Sequence, residues 1–319
     1  MKADIVVVGS LNTDIIISGV KDFPKPGQQV YADELKIDAG GKSRNIAQMI
    51  AVLTQKGKVA MIGKSIKDPY NFWLHPINSL KKAGVNIDNV KILEYGKVNK
   101  LPGIAVIPVD KNGNNSIYVI PGINDNFSKE DIDEAREAIA NSKYAVITFE
   151  RPMKTALYAI KVASSFGAKV LVDPGGISEA KHPKDILRNK LFLLKPNEHE
   201  AKILTGVVVK DFASAKQAAK NLLSNKIENI LITHGKNGAY FFNKNIEAHI
   251  KIPKVRKSLM RDETGCGDQT IAALTSSLSD GKDILSAVRM GILAGTLQFY
   301  KAGINPVTKK ELLNYIKRG

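Results

Sequence analysis

Asp262-Glu263-Thr264-Gly265-Cys266-Gly267-Asp268 runs directly into Gln269–Leu278, an apolar stretch with helix-like character. Two glycines open the backbone just before that helix, and a carboxylate stands where it begins. First-turn N–H groups have no intrahelical acceptor and point outward, so such a start is an anion pocket. With Asp268 beside the pocket as a base, the stretch implies phosphoryl transfer to a hydroxyl.

Working outward, strand-like apolar runs alternate with helix-like segments. The predicted strands are Ile5–Gly9, Val59–Ile62, Tyr144–Thr148, Lys169–Val172, Leu191–Leu194 and Asn229–Thr233. The predicted helices include Ser43–Leu53, Asn71–Ala83, Lys129–Ala140, Lys154–Phe166, Ala213–Leu223, Asp268–Leu278 and Ile284–Tyr300. This alternation predicts an α/β fold with a doubly wound, mostly parallel central sheet and helices on both faces. Segments 11–38 and 97–123 break the pattern with short alternating strands, turn signals such as Pro26-Gly27, and no helix. They predict a small β-sheet lid on a single domain spanning 1–319. An exposed β face on that lid predicts a homodimer.

Composition bounds the function classes. A chain of 319 residues with 44% hydrophobic content can bury a sizeable core. No apolar run approaches the roughly 20 residues that span a bilayer. Met1-Lys2-Ala3-Asp4 leads straight into Ile5–Val8, without the long apolar region of a signal peptide. The expectation is a cytoplasmic protein with no membrane partner. A single cysteine, Cys266, fits a reducing compartment and excludes cysteine-based metal sites. The net charge of +16 comes from lysines spread along the chain, with only 6% aromatic residues. That distribution argues for a solvated surface that helps attract a polyanion, and against a nucleic-acid partner.

Other segments supply candidate site residues. Gly40-Gly41-Lys42-Ser43 lacks the glycine that a P-loop needs five residues before Gly41; Lys36 is there. No Gly-x-Gly-x-x-Gly follows the first strand. The paired glycines allow either a close ligand approach or a tight turn, and Asn45 sits one turn into the following helix. Asn12 and Asp14 follow the first strand's carboxyl end, where open α/β sheets bind ligands, and Asp14 could accept two hydrogen bonds from a diol. In Lys195-Pro196-Asn197-Glu198-His199-Glu200, Asn197 and Glu200 share a helical face. They suit either a hydrated Mg2+ or a helix cap. Thr233-His234-Gly235-Lys236-Asn237-Gly238 reads as a phosphate-wrapping loop or a hairpin turn. The five histidines show no metal-ligand spacing.

In order, these motifs resemble the ribokinase-like (PfkB) carbohydrate kinase family over essentially the whole chain. The resemblance rests on Gly9–Asp14 with Phe23–Gly27, on Gly40–Ala47, on Pro196–Glu200 with Leu204-Thr205-Gly206, and on Asp262–Asp268. It implies a ribokinase-like fold and ATP-dependent transfer to a primary hydroxyl of a ribose-like sugar; a nucleoside or pseudouridine kinase is the alternative. A non-catalytic ligand sensor ranks lower, because Asp268, Asn197 and Glu200 are retained. The resemblance implies that Asn12, Asp14, Gly40, Gly41, Lys42, Asn45, Glu150 and Asp268 bind the acceptor. It places Asn197, Thr233, Gly235, Lys236, Gly238 and Gly267 at ATP, and Asn197 and Glu200 at Mg2+ through water. Gly265, Cys266 and Gly267 become the anion hole and Asp268 the general base. Asp262, Thr264, Phe299, Ala302 and Ile304 fall where a monovalent cation such as K+ is held. Departures from the family pattern are Cys266, Glu263, Gln269, Thr270 and Asp173, while Arg44 beside Asn45 leans toward pseudouridine kinases.

Overall fold

The computed structural model describes residues 3–111, 113–150, 152–180, 182–223, 226–254 and 262–317. In chain order the strands are β1 (Ile5–Val8), β2 (Asn12–Val20), β3 (Glu34–Gly40), β4 (Val59–Ile66), β5 (Val90–Leu93), β6 (Gly103–Asp110) and β7 (Tyr118–Ile120). They continue with β8 (Tyr144–Thr148), β9 (Lys169–Asp173), β10 (Leu191–Leu194), β11 (Ile227–Thr233), β12 (Ala239–Asn243) and β13 (Glu247–Ile250). The helices are α1 (Lys42–Leu53), α2 (Leu74–Ala83), α3 (Lys129–Glu134), α4 (Arg136–Ala140) and α5 (Met153–Ser165). Then come α6 (Glu198–Thr205), α7 (Phe212–Leu222), α8 (Cys266–Ser279), α9 (Ile284–Gln298) and α10 (Lys309–Ile316).

Nine strands form the central sheet in the order β13-β12-β11-β10-β9-β8-β1-β4-β5. Its first seven chain-order members run parallel, and β12 and β13 close one edge antiparallel. Alternation along β1 explains the two layers. Val6 and Val8 join one core with Ala156, Ala159 and Ile160 of α5, while Ile5 and Val7 join another with Ile46 and Ile50 of α1 and Ile271 and Leu274 of α8. A strand buried on both faces reads as continuous Val and Ile, which is why β1 was legible. Strand order reverses at β1, flanked by β4 on one side and β8 on the other. The crevice outside the carboxyl ends at such a reversal is where this architecture binds ligands.

A second, four-stranded sheet has the order β3-β2-β6-β7. It is rooted at that crevice: Asn12 pairs with Gly40 on one side and Gly103 on the other.

Several boundaries differ from expectation for local reasons. The helix expected over Asn71–Ala83 starts at Leu74, because Asp68 accepts the N–H groups of Tyr70, Phe72 and Trp73 and holds a loop there. The helix expected over Lys129–Ala140 breaks at Ala135. Strand β4 runs on to Ile66, since β5 pairs with its second half.

Helices α8 and α9 pack closely through glycines on α9. A Cβ on Gly291 would lie 2.7 Å from the Thr270 carbonyl oxygen, and one on Gly295 would lie 2.9 Å from the Cys266 carbonyl oxygen and overlap the Thr270 hydroxyl. That contact accounts for Thr270 where the family pattern has an aromatic: α9 occupies the space a ring would need. Gly295→Leu is therefore expected to lower unfolding free energy by at least about 1–3 kcal/mol, the scale of an overpacked core. Urea denaturation checks it, and an unchanged midpoint would show that the helices can part freely.

Candidate active site

Gly41 caps α1 with φ at 91°, and its amide region lies against the chain at 10–12: a Cβ there would come within 2.9 Å of the Ser10 oxygen and the Asn12 nitrogen. At Gly40 a Cβ would overlap the Asp14 carboxylate. The glycine pair is thus required by the protein's own strand β2, whatever ligand also approaches. This tight joint brings Asp14, Asn12 and the start of α1 together.

The start of α1 then meets the start of α8. The Asp268 carboxylate accepts from Lys42 Nζ at 2.7 Å on Oδ1 and from Asn45 Nδ2 at 2.9 Å on Oδ2. The oxygen of the Asn45 side-chain amide is buried without a partner among the described residues. Glu150, just past β8, accepts the Lys42 backbone N–H at 2.9 Å and also the Ser10 hydroxyl. Burial pushes the Glu150 carboxyl up to about 7 against the pull of Lys42, and pushes Asp14 up to about 6 against the pull of Arg44. Asn12 is anchored by Asn124, whose Nδ2 donates to Asn12 Oδ1 at 2.9 Å and to the Leu11 carbonyl at 3.1 Å.

Lys42 also lies 3.5 Å from Asp173, which receives Lys195 Nζ at 2.7 Å. Burial works against ionised Asp173, yet Lys195 and Lys42 outweigh it and hold this carboxyl far below the usual range. Four charges of alternating sign therefore line the sheet's carboxyl edge. No role for Lys195, Asn124 or Ser10 was read in the sequence. The available signal was position: Asp173 ends β9 and Lys195 follows β10, where a charge after a buried strand faces the crevice.

At the α8 start, Gly265 has φ at 75°, a left-handed conformation suited to glycine. The N–H groups of Gly265 and Gly267 have no acceptor among the described residues, whereas Cys266 N–H donates to the Glu263 carbonyl at 3.2 Å. Two of the three expected anion-hole donors are thus unspent. The Cys266 thiol is pushed up to about 12 by burial and by Asp262, Glu263 and Asp268, so it is no nucleophile at neutral pH.

Asn197 and Glu200 form a reciprocal capping box on α6, with bonds of 2.8 and 2.9 Å. Thr233 lies beside them, its N–H donating to the Pro196 carbonyl at 3.0 Å. Beyond Thr233, residues Gly235–Asn237 make a tight turn between antiparallel β11 and β12, and His234 N–H donates to the Gly238 carbonyl at 2.8 Å. Lys236 is exposed on this turn. Next to the turn is a cavity of about 420 Å³ lined by His249, Ile250, Arg289, Ile292, Leu293 and Tyr315.

The positions read for a monovalent cation lie together but are tied by internal donors. Asp262 accepts Thr264 N–H at 2.8 Å and Gly303 N–H at 2.7 Å, and its own N–H donates to the Phe299 carbonyl at 3.0 Å. Gln298 Nε2 donates to the Gly303 carbonyl at 2.8 Å, between Ala302 and Ile304. No group of three or more His, Cys, Asp or Glu residues suited to a metal ion occurs among the described residues, and no helix there is long and apolar enough to cross a membrane.

Residues 2–310 match the model of the pfkB family of carbohydrate kinases. The chain belongs to that family. It is 32% identical to a ribokinase of Staphylococcus aureus over 305 residues, 95% of each chain. It is 31% identical to a deoxyribokinase of Salmonella typhi over 294 residues, covering 91% of this chain and 90% of the relative. The structure of Arabidopsis thaliana ribokinase complexed with ribose and ATP superposes with a TM-score of 0.85 at 26% identity, covering 99% of both chains. The protein is therefore a carbohydrate kinase, a phosphotransferase acting on a sugar hydroxyl, and ATP is the family's co-substrate.

In this pfkB kinase the raised Glu150 carboxyl has a measurable consequence. The folded state keeps the Glu150 proton to about pH 7, whereas an unfolded chain loses it near 4.5. Stability from this group is full below pH 4.5 and is lost as pH rises through 7. The melting temperature of wild type minus that of Glu150→Gln is expected to fall across that window and then level off. A difference independent of pH would show that Glu150 is ionised throughout.

Proposed function

We propose that the protein transfers the γ-phosphoryl group of ATP to a primary hydroxyl of a ribose-like sugar. The observation that carries this reading is the Asp268 carboxylate, gripped by Lys42 and Asn45 on the same helical turn as the unspent Gly265 and Gly267 N–H groups. Asp14, Asn12, Glu150 and Asn45 bind acceptor hydroxyls; the Asp14 carboxylate accepts no hydrogen bond from the described residues, and the Asn45 oxygen is unpartnered. The acceptor oxygen attacks the γ-phosphorus and forms the new O–P bond. The bond to the bridging oxygen breaks, and ADP leaves with its electron pair. The hydroxyl proton passes to Asp268, while Gly265 and Gly267 N–H groups stabilise the non-bridging oxygens. Each Asp268 oxygen accepts one donor and keeps a lone pair, so the acceptor hydroxyl can donate to the carboxylate alongside Lys42 and Asn45.

The nucleotide lies along Asn197, Thr233, Gly235 and Gly238, with its base in the cavity beside the hairpin. Mg2+ would be held with the ATP phosphates by Glu200, which keeps one carboxylate oxygen outside the capping box, and by Asn197 through water. The ion would neutralise phosphate charge. Gln298 and the Asp262 amide bonds join the two loops read for a monovalent cation, so no step is assigned to such an ion.

A ribose-like acceptor is favoured over a nucleoside because the residue that leaned toward pseudouridine kinases is out of reach. Arg44 is 1% exposed and spends its guanidinium on the Gly40 and Ala39 carbonyls, Gln48 and Ser79. It holds the β3–α1 corner. ADP release against ribose, deoxyribose, fructose, adenosine and pseudouridine tests this, with a pentose expected to give the highest kcat/KM. Activity confined to nucleosides would reverse the ranking. Asp268→Asn is expected to cut kcat on the best acceptor by at least about a hundredfold while ADP still binds; near-normal turnover would remove Asp268 as base.

The second sheet would act as a lid over the acceptor, excluding water from the transfer. Its face opposite Asp14 is strongly apolar: Leu35 is 62% exposed, Tyr118 64% and Ile120 46%. Both its outermost strands, β3 and β7, carry this surface. A patch of this kind calls for a partner, and a second copy of the chain meets that need. Light scattering is expected to give twice the chain mass, and Leu35→Glu with Tyr118→Lys is expected to give the monomer. A monomeric wild type would count against the dimer.

A further inference from the structure

Lys195 is the end of the charged row and lies beside the anion hole. Its ammonium is 2.7 Å from Asp173 Oδ2, with the two side chains only 4% and 2% exposed. A Cβ on Gly267 would lie 3.5 Å from the same nitrogen. The ammonium therefore borders the turn whose Gly265 and Gly267 N–H groups are unspent. An ammonium carries three donors, and Asp173 takes the one hydrogen bond that Lys195 Nζ makes among the described residues. Lys42, by contrast, is committed on both sides, to Asp268 and to Asp173. Glu200 is the next carboxylate that feels Lys195, but its bonded oxygen accepts the Asn197 N–H. Lys195 thus presents a buried cation with donors in reserve toward the phosphate side.

We infer that Lys195 is a catalytic residue, donating to the γ-phosphoryl oxygens during transfer, and that Asp173 is the residue that positions it. This rests on the kinase reading above. In phosphoryl transfer, charge spreads over the three equatorial oxygens. Backbone N–H groups answer that with partial charges; Lys195 answers it with a full one. Keeping its bond to Asp173 while using a second proton, it needs no displacement to do so.

A buried ion pair would also matter if it served only the fold, so the test must separate the two. Lys195→Gln is expected to lower kcat by about 10²–10³-fold with the acceptor KM unchanged, and Lys195→Arg to recover part of the loss. Affinity for the non-hydrolysable analogue AMPPNP is expected to fall about tenfold, the scale of one hydrogen bond to a charged group, while AMP binding holds. The double variant Asp173→Asn/Lys195→Gln removes both charges. Its melting temperature is expected to return toward wild type while kcat stays low. Recovery of kcat together with the melting temperature would overturn the inference, as would Lys195→Gln with wild-type turnover and AMPPNP affinity. A wild type that binds neither nucleotide would instead sink the kinase reading itself.

Discussion

Asp268, Lys42, Asp173 and Lys195 stand in one row of alternating charge across the carboxyl edge of the central sheet, and much of the site depends on that row. Burying an isolated ion costs several kcal/mol even after relaxation. Each interior member of the row has an opposite charge on both sides: Lys42 lies between Asp268 at 2.7 Å and Asp173 at 3.5 Å. Asp173 lies between Lys42 and Lys195. Removing any interior member would leave like neighbours or an unpaired buried charge, which typically costs about 3–5 kcal/mol. The row therefore fixes where α1, α8, β9 and β10 end relative to one another, and those ends are the site.

This constraint also explains what could be read from the chain. The α8 start, the α1 start and β1 were legible because each has a local signature: glycines before an apolar helix, or an unbroken Val and Ile run. Asn197 and Glu200 were legible as a pair at helical spacing, but spacing alone did not separate a cap from a metal ligand. The capping box shows that they are at least a cap, with one Glu200 oxygen left over. Lys195 and Asp173 are 22 positions apart in sequence, and Lys42 and Asp268 are 226 apart. Nothing local marks such pairs, because the fold creates them by bringing together the ends of adjacent strands β9 and β10 and the starts of helices α1 and α8. Strand β5 was missed for a similar reason: Val90–Leu93 is four residues long, half-buried and at the sheet edge.

Departures from the family pattern concentrate where α8 meets the C-terminal segment. Thr270 gives its hydroxyl to the Cys266 carbonyl at 2.8 Å and faces the α9 glycines. Gln269, fully buried, accepts the Val307 N–H at 2.9 Å. Gln298 bridges toward the loop at 303 from the end of α9. Thr270 and Gln269 act together with Gln298: a small residue lets α9 approach, and two amides tie the approach to the chain beyond it. They alter how α8 is held and leave its first turn, Gly265 to Asp268, free to bind an anion.

The same arrangement bears on how a kinase of this kind limits wasteful hydrolysis. In the structure both Asp268 oxygens are occupied, one by an ammonium and one by an amide. Each oxygen keeps a lone pair, so a water molecule entering the crevice can reach Asp268, but by that one contact alone. A sugar has more to offer. The hydroxyls proposed to bind Asp14, Asn12 and Glu150 would bring binding energy from outside the reacting centre, and that energy can hold the reacting hydroxyl against Asp268. Water lacks those extra contacts. Such a site favours an acceptor with several hydroxyls over a single small nucleophile by difference in binding, beside whatever the lid contributes.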